Sequence, residues 1–414
     1  MTSIAGAKWL NAPATRSVVA ALDVGGAQPA LRFVGGCVRN TLLELSPGDI
    51  DIATVHPPEK VIELAREAGL KAVATGIEHG TVTLISGGKP FEVTTLRHDV
   101  TTHGRHADVR FTQDWQGDAE RRDFTMNAIY ADAAGTLFDP VGGIADAAAR
   151  RVRFIGDATA RIREDYLRIL RFFRFYAWYG RGDLDAAGLA ACAAEKAGLK
   201  QLSAERIAKE LLRLLEAREP VGTLRTMADA GILGAVLPEA TNFEELADIV
   251  IVEADYCHVA DAVRRLGVFI EADAKGAAAL ADRLRLSGAA KERLVRLREG
   301  AHALLSPNIK GTELRALLYR GGVAATEDRI VLSWALRGAS DDVDVWEALV
   351  EIVRDYERPK FPLTGHDVTA LGLVGADVGR VLSVVEEWWI AEDFAPDRAA
   401  ALARAKAAAN TSQT

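Results

Sequence analysis

Cysteine is scarce: the 414-residue chain has three, Cys37, Cys192 and Cys257, and they lie far apart. An odd, scattered set excludes a disulfide framework and offers no metal-ligand spacing, which fits a reduced intracellular setting. Long apolar runs are missing too, and none approaches the roughly 18–20 residues that span a bilayer. Residues 1–10 lack the apolar core and cleavage pattern of a signal peptide, so the expected location is the cytoplasm, away from membranes. Excess positive charge is absent. The net charge of −8 argues against a general polyanion binder, although a local basic surface is enough for phosphate contacts. There is no fixed-period repeat. What is present, 49% hydrophobic and 26% charged residues, is ordinary for a globular protein with more than one core.

Hydrophobic patterning divides the chain near residue 150. Residues 15–22 read as a helix stopped by Gly25-Gly26, residues 31–34 as a strand and residues 38–45 as a short helix. An alternating strand follows at 50–55. Pro57-Pro58-Glu59 then opens a helix that Gly69 terminates. Strands at 72–75, 81–86 and 91–96, with Gly87-Gly88 as a hairpin turn, give a mixed and largely antiparallel sheet. Residues 97–114 have no periodicity and read as an exposed loop whose histidines, His98, His103 and His106, lack a ligand spacing. Beyond Asp157 the chain is Ala- and Leu-rich with helical periods. Ser203 and Thr312 are expected N-caps there, and Gly365-His366-Asp367 a turn and helix start.

Three constellations carry chemistry. The first is Gly35-Gly36-Cys37-Val38-Arg39, followed by Asp49-Ile50-Asp51. In an extended strand Asp49 and Asp51 share one face while Ile50 and Ile52 turn to the core, and paired carboxylates suit hard cations such as Mg2+. The glycines allow backbone N–H groups to approach an anion. The second is Arg121-Arg122-Asp123-Phe124-Thr125-Met126-Asn127, whose guanidinium and carbonyl groups suit phosphate and ribose. The third reads as one helix in which Asp165, Arg168, Arg171 and Arg174 rise at three-residue spacing. An aspartate only accepts hydrogen bonds and an arginine only donates them, so an Asp165/Arg168 pair matches the amine and ring nitrogen of cytosine or adenine. Uracil and guanine offer a carbonyl instead and lose roughly 1–3 kcal/mol.

In this order the three constellations resemble the class II CCA-adding enzymes (tRNA nucleotidyltransferases) and bacterial poly(A) polymerases of the polymerase-beta-like superfamily, over residues 30–230. The resemblance implies an α+β nucleotidyltransferase head at 1–150, a helical neck with the base-reading helix at 151–235, and an all-α body and tail at 236–414 that binds RNA. It further implies that Asp49 and Asp51 are catalytic and hold Mg2+. Gly36, Arg39 and Arg122 would serve the nucleotide's phosphates and sugar. Asp165 and Arg168 would read the base, and Arg171 and Arg174 would extend toward the triphosphate. Glu92 is a candidate third carboxylate and Arg206 a weaker phosphate candidate. Asn40 stands where the family usually has aspartate, which keeps an arginine-orienting role and weakens a metal role. The implied activity is addition of C, C and A to the 3′ end of tRNA from CTP and ATP. Poly(A) polymerase, a CC-only or A-only enzyme, and a non-catalytic RNA-binding protein are the alternatives. No protein partner is expected.

Overall fold

The computed structural model describes residues 3–24, 28–103, 106–257, 259–300 and 304–410. The Gly25-Gly26 stop signal lies outside them. The described chain forms two compact units, Met1–Pro238 and Glu239–Thr414.

The first unit is built on a sheet. Its strands are β1 (Leu31–Val34), β2 (Ile50–Thr54), β3 (Lys71–Gly76), β4 (Thr81–Ser86), β5 (Lys89–Thr95), β8 (Tyr130–Ala131) and β9 (Leu137–Phe138), in the order β3-β4-β5-β2-β1-β8-β9. Only β2 and β5 run parallel; every other pair is antiparallel, so the α+β, largely antiparallel expectation holds. Ser86 faces Lys89 across a two-residue turn in which Gly87 and Gly88 have φ of 55° and 74°. Positive φ at both positions is the type I′ geometry that matches strand twist.

Residues 97–114 depart from the expected loop. Two strands, β6 (Arg97–His103) and β7 (His106–Phe111), pair antiparallel with Asp99 opposite Val109. Backbone pairing needs no apolar alternation, and the β-branched Val100, Thr101, Thr102 and Val109 favour extended backbone. A search for hydrophobic period therefore misses the ribbon.

Helices α1 (Pro13–Leu22), α2 (Gly36–Leu42), α3 (Pro58–Glu67), α4 (Trp115–Glu120) and α5 (Gly143–Ala148) surround the sheet segment. Then come α6 (Ala158–Glu164), α7 (Leu167–Tyr179), α8 (Ala186–Glu195), α9 (Ala204–Leu215), α10 (Val221–Asp229) and α11 (Leu233–Val236). The expected single helix across 160–176 is thus two. Asp165 has extended backbone (φ −153°, ψ 105°) in the break between α6 and α7. An aromatic cluster pins α7 to the preceding segment: Phe172 stacks on Phe154 at 5.4 Å, and Phe175 meets Phe124 at 5.1 Å. All four rings are buried, and this packing sets α7 beside residues 121–127.

The second unit is helical throughout: α12 (Phe243–Val252), α13 (Ala262–Phe269), α14 (Ala274–Arg283), α15 (Gly288–Gly300), α16 (Gly311–Gly321), α17 (Val323–Ala335), α18 (Val343–Arg354), α19 (Gly365–Thr369), α20 (Ala376–Ala391) and α21 (Arg398–Asn410). Thr364 and Asp367 close a capping box at the start of α19, the helix start read from Gly365-His366-Asp367. Lys310, not Thr312, is the N-cap of α16, because the helix already includes Gly311. Among the described residues no helix is long and apolar enough to cross a membrane.

Buried charges tie α12, α13, α15 and α17 together. Glu253 accepts from Arg265 Nε at 2.6 Å and Arg264 Nη1 at 3.2 Å. Asp328 accepts from Arg264 Nε at 2.8 Å and from Arg293 Nε and Nη2 at 2.7 Å. Arg293 also reaches Asp261 at 2.7 Å. Removing one member of such a network leaves the others charged and desolvated, which costs about 3–5 kcal/mol. Asp328→Ala is therefore expected to lower the unfolding free energy of the second unit by that amount in urea unfolding followed by circular dichroism. A loss below about 1 kcal/mol would show that the arginines find water instead.

Candidate active site

The site begins at the end of β1. Val34 leads into Gly35, whose φ of 75° and ψ of −128° belong to a region only glycine occupies without strain. The turn delivers Gly36 as the first residue of α2. A Cβ at Gly36 would meet nothing nearer than Arg39 Nη2 at 3.8 Å, so no atom of the chain demands glycine there. The missing side chain instead leaves room in a cavity of about 820 Å³. Cys37 between them is buried, which pushes its thiol up to about 12 and leaves it a packing group.

Four carboxylates line that cavity: Asp123, which is paired with Arg171, and the group of Asp49, Asp51 and Glu92. Asp51 in β2 stands in register with Glu92 on parallel β5, and Asp49 immediately precedes β2. Burial raises Asp51 from the usual carboxylate range to about 6, and Glu92 and Asp49 add to the shift against the opposing pull of Arg122 and Arg39. Negative charge is in surplus here, and all the donors are hard oxygens, so the residues fit a divalent cation such as Mg2+. Among the described residues no group of three or more His, Cys, Asp or Glu side chains is placed to hold a metal ion, so the protein's own share would be the aspartate pair. An open set of this kind leaves coordination positions for substrate oxygens and water. Ile50 differs from its expected place: it lines the cavity half-buried, whereas Ile52 is in the core.

Cations line the same cavity. Arg39 is buried, stacked 3.9 Å above the Tyr179 ring, and donates to Tyr179 Oη at 2.8 Å, to Asn127 Oδ1, and to Asn40 Oδ1 at 3.1 and 2.8 Å. Asn40 thus orients the arginine. Arg122 is held by Asp118 and by Tyr130 Oη at 3.1 Å, and Arg171 donates to Asp123 Oδ2 at 2.9 and 2.5 Å. Asp123 is buried, yet Arg171 and the Asn127 amide hold its carboxyl below the ordinary range. Arg174 donates to Glu210 at 2.5 Å. Gly36, Arg39, Asp49, Asp51, Arg122, Arg171 and Arg174 all line the one cavity.

Asp165 and Arg168 do not line it. Asp165 Oδ1 accepts from the Leu167 N–H at 3.1 Å, and Oδ2 accepts from Arg206 at 2.6 Å. Arg206, considered for phosphate, is therefore spent on Asp165. Arg168 donates to Glu164 at 2.5 Å and to the Arg161 carbonyl at 2.8 Å. Sequence reasoning missed Asp118, Tyr179, Glu210 and Lys209. Glu210 leaves a sequence signal, since it interrupts the apolar stripe Ile207, Leu211, Leu214 of α9. Asp118 leaves one as well, since it stands three and four residues before Arg121 and Arg122. Tyr179 leaves none, because its partner Arg39 lies 140 residues away.

A family model described as the Poly A polymerase head domain matches residues 31–153, and one described as the probable RNA and SrmB-binding site of polymerase A matches residues 183–244. CCA tRNA nucleotidyltransferase 1, mitochondrial, of Mus musculus is 33% identical over 391 residues, covering 87% of this chain and 82% of that protein. The Homo sapiens protein of the same name matches to the same extent. A CCA-adding enzyme of Oceanobacillus iheyensis is 39% identical over 199 residues, 48% of each chain. In fold, the chain is similar to the Bacillus stearothermophilus CCA-adding enzyme in complex with CTP, with a TM-score of 0.72 at 24% identity, covering 97% of this chain and 99% of that one. With the glycine turn, Arg39, the aspartate pair and Arg122 all falling within residues 31–153, the chain belongs to the family of CCA-adding tRNA nucleotidyltransferases and poly(A) polymerases.

Proposed function

We propose that this protein adds C, C and A to the 3′ end of tRNA from CTP and ATP, with release of pyrophosphate. The observation that carries the reading is one cavity lined by Asp49, Asp51 and Glu92 and by Arg39, Arg122, Arg171 and Arg174, in a chain 33% identical to a CCA tRNA nucleotidyltransferase over most of both lengths. The three-part division into head (1–150), neck (151–235) and RNA-binding body and tail (236–414) belongs to the same proposal. So does a cytoplasmic location, supported by buried, unpaired thiols at Cys37 and Cys192.

In this reading the RNA 3′-hydroxyl attacks the α-phosphate of the nucleotide and pyrophosphate leaves in line. Asp49 and Asp51 would hold Mg2+, with Glu92 as a neighbouring carboxylate, and the bound metal supplies charge neutralisation and a more acidic hydroxyl. Arg39, fixed by Asn40, Asn127 and Tyr179, presents its charge to phosphate without reorganising. Arg122 and Asn127 serve the sugar-phosphate, and Arg171 and Arg174 the triphosphate. The Gly36 N–H groups' surroundings leave the backbone open to an anion. Base selection by Asp165 and Arg168 requires Arg168 to leave Glu164 and turn toward the nucleotide.

Incubating the protein with tRNA lacking its last three nucleotides tests the activity. Three nucleotides are expected with CTP and ATP together and two with CTP alone; a long A tract would make the protein a poly(A) polymerase. Asp49→Ala is expected to lower kcat by roughly 10³-fold, the scale of several kcal/mol of lost charge stabilisation. Unchanged activity would point to a non-catalytic RNA-binding role.

Asp51 gives a second test. Its folded pKa of about 6 lies above the ordinary 3.8, so the ionised form costs stability. That cost is absent below pH 4, grows between pH 4 and 6, and is complete above, at about 2–3 kcal/mol. Chelator-treated Asp51→Asn is therefore expected to melt a few degrees above the wild type at pH 7.5 and level with it at pH 4. Saturating Mg2+ narrows the gap at pH 7.5. An equal gap at both pH values would refute the charge argument.

A further inference from the structure

Five cations line the cavity: Arg39, Arg122, Arg171, Arg174 and Lys209. Three are neutralised in place, Arg122 by Asp118 at 3.1 Å, Arg171 by Asp123 at 2.5 Å and Arg174 by Glu210 at 2.5 Å. Arg39 touches only neutral groups, an arrangement already read as a phosphate contact. Lys209, on α9, is exposed and makes no ion pair among the described residues. Its neighbours on the helix are committed elsewhere: Arg206 to Asp165, Glu210 to Arg174 and Arg213 to Glu216. Glu205, also exposed, stands one turn before it on α9, yet Lys209 borders the cavity without an ion pair to that carboxylate.

We propose that Lys209 is a phosphate-contact residue of the reaction cavity, resting on the nucleotidyltransferase reading above. An ammonium on a four-carbon stem is a mobile point charge that binds phosphate without a fixed fork geometry. With three of the arginines balanced by carboxylates, Lys209 and Arg39 are the cavity's two uncompensated positive charges. Phosphate reaches the cavity from two sources, the triphosphate of the incoming nucleotide and the backbone of the RNA end, and the same charge serves either.

The test compares full-length wild type, Lys209→Met and Lys209→Arg. Methionine keeps the length of the side chain and removes the charge, and equal melting temperatures for the three proteins establish that the fold is intact. Lys209→Met is expected to raise KM by about five- to tenfold, with Lys209→Arg close to wild type. A rise confined to CTP and ATP, with weaker binding of inorganic tripolyphosphate in a competition titration, assigns the contact to the nucleotide. A rise confined to tRNA, with the slope of log affinity against log salt smaller by about one, assigns it to the RNA backbone. KM values, tripolyphosphate affinity and salt slope all unchanged would overturn the proposal. Should the wild type add no nucleotides, the activity reading fails, while the tripolyphosphate comparison still decides Lys209.

Discussion

The carboxylate of Asp51 is half-buried beside the exposed Glu92 and Asp49 with no ion pair to any described residue, and the rest of the cavity follows from that imbalance. A fold does not ordinarily retain a half-desolvated negative charge next to two others, since one well-placed arginine would relieve it. Here the arginines are within electrostatic reach yet are held back, each by a partner of its own. The charge separation within the cavity is thereby preserved for a ligand that brings both cations and phosphates. Local stability is given up in the same place where the chemistry is done.

How that separation is enforced is a matter of packing more than of charge. Arg171 meets Asp123 because the Phe124, Phe154, Phe172 and Phe175 rings lock α7 against the segment that carries Asp123. Arg174, one turn further, meets Glu210 because α9 lies along α7. The second unit uses buried ions differently. Around Glu253 and Asp328 three carboxylates face three arginines, and the charges cancel within the network. The same residue types hold helices together there and leave no surplus charge for a ligand.

Much of the first unit was legible in the chain. The Gly87-Gly88 hairpin, the strand carrying Asp51 and the Gly35-Gly36 turn follow from local chemistry, because two residues or one pleat determine each. What stayed hidden was long-range or lacked hydrophobic contrast. The β6–β7 ribbon is held by backbone pairing that leaves no apolar period to read. Ile50 alternates correctly yet lines a cavity, since alternation fixes the side of a strand and not what lies beyond it. Tyr179 acts on Arg39, and Glu210 on Arg174, across gaps that only the folded chain closes.

The break between α6 and α7 has a consequence for selectivity. On a continuous helix Asp165 and Arg168 would share the rigid row of Arg171 and Arg174, and base and phosphate contacts would move together. In the folded chain Asp165 sits in the break, with Tyr166 packed so closely on Gly198 that a Cβ there would lie 2.0 Å from its ring. Arg168 begins the next helix but is turned away to Glu164. Arg171 and Arg174 are thus fixed by the aromatic cluster, whereas Asp165 and Arg168 are held by two ion pairs, Asp165–Arg206 and Arg168–Glu164, each partly open to water. Partly exposed pairs of this kind contribute about a kcal/mol or less, so they are easily exchanged for contacts of similar strength with a base. Under the proposed assignment of Asp165 and Arg168 to the base, a rigid arginine row joined to a loosely held pair suits a site that accepts two different bases in succession without disturbing where the phosphates lie.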